Sequence, residues 1–192
     1  MFVTKNLRTI LLVAVIIVGI LSTFFIEIKN FTPLGAVCLL GAAYFSNKKY
    51  AFLLPLALMW MVQLYLNNVV YAEFFDSFEL VGVPSLYISI VLIVLLGTIL
   101  LKKINIANVM GTAALAAVTF FLVTNFFSWL GNPVYPRNFM GLLESYTAGI
   151  PFFRGTFLSY MIFTPVLFGI FELLNKKVVA PYLAKNPIQL ES

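Results

Sequence analysis

The residues of this chain that could bind or transform a molecule are few, and they stand out because they interrupt long apolar runs. Asn125 and Trp129 lie four apart in one such run, so in a helix they share a face. Gln63 and Asn67 repeat that spacing in another run, and Asn30 and Thr32 open a third. An amide in lipid must find hydrogen-bond partners or cost several kcal/mol by transfer estimates. Polar groups from three separate segments therefore collect at one depth. Two readings fit them: hydrogen bonds between helices, or a ligand cavity walled by Trp129, Tyr65, Tyr135 and Tyr146. Segment 131–156 adds Arg137 and Arg154, whose planar forks suit a carboxylate or phosphate. Pairing of these arginines with Glu144 or with lipid phosphates is the plainer alternative.

Other chemistry is excluded by composition. The chain has no histidine and a single cysteine, Cys38, so His-based catalysis, His-ligated metals and internal disulfides are ruled out. It carries no Walker motif, no glycine-rich phosphate loop and no carboxylate cluster within an apolar run. Glu172 is the one acid inside a predicted span. The expectation is a protein that is not an enzyme, with no cofactor and no metal, and with no ionisable residue placed to drive ion-coupled pumping.

The elements that position these residues follow from hydropathy. Of 192 residues, 62% are apolar and 10% charged, and the mean hydropathy is +1.03. A soluble domain carries about 25% charged residues, so this chain is read as a single all-α transmembrane domain, 1–192. Six spans are predicted at 7–26, 31–49, 51–66, 85–101, 106–130 and 157–174. The second is short, with Pro33 in its first turn and Asn30 or Thr32 as candidate caps. Placing both termini in the cytoplasm puts Lys5, Arg8, Lys48, Lys49, Lys102, Lys103, Lys176, Lys177 and Lys185 inside, nine of the twelve basic residues. Lys29, Arg137 and Arg154 then lie outside, as do Glu27, Glu73, Asp76, Glu79 and Glu144. The net charge of +5 is read as this anchoring bias and not as a nucleic-acid footprint.

In segment 131–156, Phe139, Leu142, Leu143, Tyr146 and Ile150 fall near helical spacing. They predict a short interfacial helix over 138–148, ended by Gly149, Ile150 and Pro151. It would lie on the bilayer surface or fold back as a lid. Gly35, Cys38 and Ala42 form a stripe of small residues on the second span, and Gly111, Ala113, Ala114 and Ala117 mark the fifth. Small faces let backbones approach closely, either within the bundle or against a partner membrane protein.

Asn30 to Ala36, Thr124 to Phe126 with Trp129, Tyr135 and Pro136, Gly141 and Leu142, Tyr146, and Pro151 to Arg154 together resemble an uncharacterised bacterial family of small six-span membrane proteins. That resemblance places the chain in the bacterial cytoplasmic membrane. In architecture the chain is also similar to the S components of energy-coupling factor vitamin transporters, which bind substrate near the outer face and are powered by a separate transmembrane coupling subunit with ATPases. The resemblance implies a substrate-binding subunit for uptake of a small, vitamin-like molecule, with Gly35, Cys38 and Ala42 as the partner-docking stripe. The rival readings are a structural or accessory protein of a larger complex, and a membrane enzyme using Arg137, Glu144 and Arg154 on a lipid-linked substrate.

Overall fold

Leu34–Tyr44 is apolar on every side, and a helix of that kind belongs inside a bundle. The computed structural model, which describes residues 2–26, 28 and 30–185, puts it there. Every described element is helical. The long helices are α1 (Phe2–Leu21), α2 (Leu34–Tyr44), α3 (Lys48–Tyr65), α4 (Pro84–Leu100), α5 (Ile106–Gly131) and α6 (Phe139–Leu174), followed by a π-helical turn and the short α7 (Ala180–Lys185). Side chains are described for 7–26, 28 and 30–182, so the orientation charges Lys5, Glu27, Lys29 and Lys185 lie outside that set.

α2 is the hub. It contacts each of the other five long helices, and its residues from Leu34 to Ala42 are all buried. In lipid, helix association gains little from the hydrophobic effect and depends on close van der Waals contact. The small residues of α2 supply that contact. A Cβ on Gly35 would fall within the Tyr160 ring of α6, and one on Gly97 of α4 would sit 2.6 Å from the Cβ of Ala42. The Gly35, Cys38 and Ala42 stripe thus faces neighbouring helices of the same chain. These residues are buried because α4 and α6 occupy the space the small side chains leave, so the stripe expected to dock a partner packs against helices of its own chain.

Polar contacts fix the lysine-rich end. Lys48 Nζ donates to the Ala42 carbonyl at 2.7 Å, satisfying one of the carbonyls at the end of α2. The Arg8 guanidinium lies over the rings of Tyr44 and Phe171, at 5.7 and 5.9 Å, and the Tyr44 hydroxyl donates to the Glu172 carboxylate. These contacts tie α1, α2 and α6 together. Asparagines cap three helix starts: Asn47 accepts from Lys49 N, Asn105 from Asn108 N and Asn138 from Gly141 N. α2 differs, because its N-cap position is Pro33 and no side chain caps it. Asn30 and Thr32 are therefore not the caps the sequence suggested.

Four stretches are long and apolar enough to cross a membrane: Leu7–Phe25, Lys48–Val70, Ile106–Gly131 and Phe139–Tyr182. The second and fourth predicted spans are shorter helices of 11 and 17 residues.

The largest departure from expectation is α6. The predicted interfacial helix and the sixth span are one 36-residue helix running through Gly149, Pro151 and Pro165. No lid is formed. A proline in a helix removes one backbone bond and crowds the carbonyl four residues earlier, but contacts with α5 outweigh that loss. Ser145 Oγ donates to the Asn125 carbonyl at 2.8 Å, and the Tyr146 hydroxyl donates to the Leu122 carbonyl at 3.0 Å. Both bonds lie in the turns just before Pro151, and Phe153 stacks on Phe121 just after it, at 4.8 Å.

Replacing Gly35 by leucine forces the Tyr160 ring away from α2. Overpacking of this kind costs about 1–3 kcal/mol or more, so the purified variant should melt at lower temperature in detergent. An unchanged melting temperature would show that the α2–α6 contact is looser than described.

Candidate functional site

Between the short 3-10 helix Ser22–Phe25 and α2 the chain turns, and Asn30 makes the turn. Its φ is 57°, the only left-handed non-glycine residue among those described, and asparagine tolerates that region better than most residues. The Phe31 N–H bonds the Ile28 carbonyl at 3.2 Å across the bend. The turn sets Asn30 and Thr32 beside the uncapped start of α2, where three adjoining cavities meet.

Asn30 and Phe120 line all three. The first, about 340 Å³, lies between α5 and α6, among Phe121, Thr124, Asn125, Phe153 and Thr156. The second, about 160 Å³, is the most enclosed and reaches the α2 start, among Thr32, Leu34, Gln63, Thr156 and Tyr160. The third, about 430 Å³, opens toward α4 and is lined by Gln63, Val83, Ser85, Thr124, Phe127 and Ser128. Sites for small molecules are typically concave, mostly apolar and about 300–1,000 Å³, with a few placed polar groups. This arrangement matches that description. Among the described residues its lining contains no Asp, Glu, Lys or Arg, and the polarity they supply comes from amides, hydroxyls and the backbone.

Of the sequence-predicted residues, the structure brings together Asn30, Thr32, Gln63 and Asn125. The others are elsewhere. Trp129 Nε1 donates to the Pro136 carbonyl at 2.9 Å, pinning the 132–138 connection. Tyr146 is committed to Leu122. Arg137 and Arg154 are exposed, and neither they nor Tyr135 line the three cavities. Asn67 lines a separate, shallower pocket in the 66–83 loop. Its neighbour Asn68 organises that loop: Asn68 Nδ2 donates to the Leu64 and Glu79 carbonyls, and the Glu79 N–H donates to Asn68 Oδ1. With Trp60 Nε1 bonded to the Leu80 carbonyl, these bonds fold the loop back on α3 and bring Val83 to the third cavity. Sequence reasoning missed Thr124, Ser128, Thr156, Ser85 and Tyr160, because hydroxyls and rings in apolar helices carry no signal that separates them from ordinary packing.

Residues 3–183 match a family of unknown function, DUF6580. The chain belongs to this family. The match takes in all six long helices and every residue that lines the three cavities. No curated protein and no solved structure matches the chain.

Asn125 has a structural duty as well as a place in the lining. Its Nδ2 donates to the Phe121 carbonyl of its own helix at 2.8 Å, and its amide lies against the bare Cα of Gly149. A methyl group at Gly149 would overlap Asn125 Oδ1. Gly149→Ala should therefore destabilise the α5–α6 contact by about 1–3 kcal/mol. Adding Asn125→Ala should recover part of that loss, a non-additive result characteristic of residues in contact. Thermal melting of both single variants and the double variant measures it, and strict additivity would contradict the described contact.

Proposed function

We infer that this chain is a membrane-embedded binding subunit for uptake of a small molecule, with no catalysis of its own. The observation that carries this reading is the set of adjoining cavities around Asn30 and Phe120, whose described lining is polar and rimmed by phenylalanines. The reading takes α1 to α6 as six membrane passes with the lysine-rich end in the cytoplasm, on the bias of the basic residues. The cavities then face outward. α2, at about 16 Å, covers half of the roughly 30 Å hydrocarbon core, and the non-helical residues 30–33 extend its pass. Irregular backbone at membrane depth is tolerated where it is enclosed by protein or lines a water-filled cavity, which is the setting the proposal gives it.

The energy for uptake would come from a separate coupling subunit with ATPases, as the architectural similarity to S components implies. Such a partner would have to engage a surface other than the Gly35, Cys38 and Ala42 stripe, which is buried. The rival reading, an accessory protein that binds nothing small, draws support from Trp129 and Tyr146, whose polar groups are spent on helix contacts. The enzyme reading has less support, since neither Arg137, Glu144 nor Arg154 lines a cavity described above.

Native mass spectrometry of the chain purified in mild detergent separates the first two. A co-purifying small molecule, lost in Asn30→Gly, which removes the amide and keeps the left-handed turn, while the melting temperature is kept, is the expected outcome. Preparations consistently free of any small molecule, with Asn30→Gly altering stability alone, would favour the accessory reading.

A further inference from the structure

The third cavity is bordered by hydrogen-bonding groups that the fold leaves unused. Ser85, in the first turn of α4, is 4% exposed and lines it. The Ser85 carbonyl accepts from Ser89 Oγ at 2.7 Å, but the Ser85 hydroxyl has no partner among the described residues. The unpaired hydroxyls of Tyr87, Tyr160 and Thr164 are sealed within protein. The Ser85 hydroxyl is unpaired without being sealed, and the open space it borders is the third cavity.

Gln63 repeats the pattern on α3. It lines the second and third cavities, and its amide, half-buried and unsealed, has no partner among the described residues. The side chain is held along its length. A Cβ on Gly82 would lie 3.1 Å from Gln63 Cβ and Cγ and 3.3 Å from Cδ, so the returning 66–83 loop presses on it and restricts where the amide can go. Asn30 brings a second amide without a partner among the described residues, and it lines the same two cavities. The two amides therefore stand where those spaces meet.

A primary amide carries an acceptor and a donor side by side. A carboxylate only accepts, and would leave the amide oxygens unmatched. An ammonium only donates, and would leave the amide nitrogens unmatched. The edge that matches an amide is another with adjacent donor and acceptor, as when Asn or Gln pairs with a nucleobase edge. A serine hydroxyl adapts to either role. A ligand that displaces water from such groups must replace its hydrogen bonds or lose affinity, so the match selects. Phe120 and Phe127 supply apolar flanks, which suit a flat ring, and about 430 Å³ lies within the range of small-molecule sites.

We propose that Asn30, Gln63 and Ser85 recognise a lactam edge, the adjacent ring N–H and C=O of a planar heterocycle whose faces lie against Phe120 and Phe127 in the third cavity. This rests on the binding-subunit reading and names the class of substrate it takes.

The test is titration calorimetry on the full chain in mild detergent, with each lactam probe beside its N-methyl derivative: 2-pyridone and 1-methyl-2-pyridone, uracil and 1,3-dimethyluracil, 2-quinolone and 1-methyl-2-quinolone. In at least one pair the N–H compound should bind at least about fivefold more tightly, the lower end for a paired amide contact. Gln63→Met removes the amide and keeps an unbranched stem against Gly82. Gln63→Met and Ser85→Ala should each reduce the preference at least about twofold, the lower end for one neutral hydrogen bond. Neither should melt below the native chain, because both groups are unpaired without ligand, and misfolding of one variant leaves the other to decide. A preference untouched by these variants reflects only the bulk of the methyl group and overturns the assignment. Equal affinities within every pair, or absence of binding by all six probes, also overturn it. A co-purifying molecule whose mass spectrum shows no lactam ring would overturn the assignment and leave the binding-subunit reading intact.

Discussion

An eleven-residue helix enclosed on all sides is the constraint on which the rest of the fold depends. α2 is too short to reach across a bilayer by itself, and residues 30–33 leading into it are non-helical. Backbone groups there have no helical partner and need protein or water around them. The surrounding helices answer both needs. They close on α2 through small residues at Gly35, Ala42 and Gly97, and near its start they draw apart to leave the cavities around Asn30. The same helix thus anchors the bundle at its lysine-rich end and opens it at the other.

The α5–α6 hairpin supplies the far wall. α5 has 26 residues and α6 has 36, lengths of about 39 and 54 Å, so both outrun the hydrocarbon core. The two helices hold each other by hydroxyl-to-carbonyl bonds from Ser145 and Tyr146 and by the close fit of Asn125 on Gly149. Between those contacts and the Tyr160–Gly35 contact, α6 carries Phe153 and Thr156 into the cavity wall. The wall is consequently built on helix and not on a mobile loop, which favours a preformed site.

The sequence made the membrane class legible, because so few charges cannot cover a soluble surface. It also made Asn30, Thr32, Gln63 and Asn125 legible, since an amide or hydroxyl at the edge of an apolar run has few ordinary uses. The arginines and Trp129 lie away from the three cavities, and their position was not legible for a physical reason: their chemistry suits ligands, but it suits water and backbone carbonyls equally well. The continuous α6 was hidden because Gly149, Ile150 and Pro151 read locally as a helix stop, and the bonds that override them come from α5, more than twenty residues away. Thr156 was hidden because a hydroxyl in an apolar helix usually bonds its own helix, as Thr156 does with the Phe152 carbonyl. Tyr160 was hidden because only the packed structure reveals that its hydroxyl has no partner.

The central claim is that the space around Asn30 opens to the side of the membrane opposite the lysines. Cysteine accessibility tests it most directly, in a Cys38→Ala background in intact cells. Ser128→Cys, on the lining of the first and third cavities, should react with a small membrane-impermeant thiol reagent, and Asn47→Cys at the lysine-rich end should not. Reaction at Asn47 would reverse the orientation, and an unreactive Ser128→Cys beside a reactive Ser77→Cys in the 66–83 loop would mean that the cavity is closed.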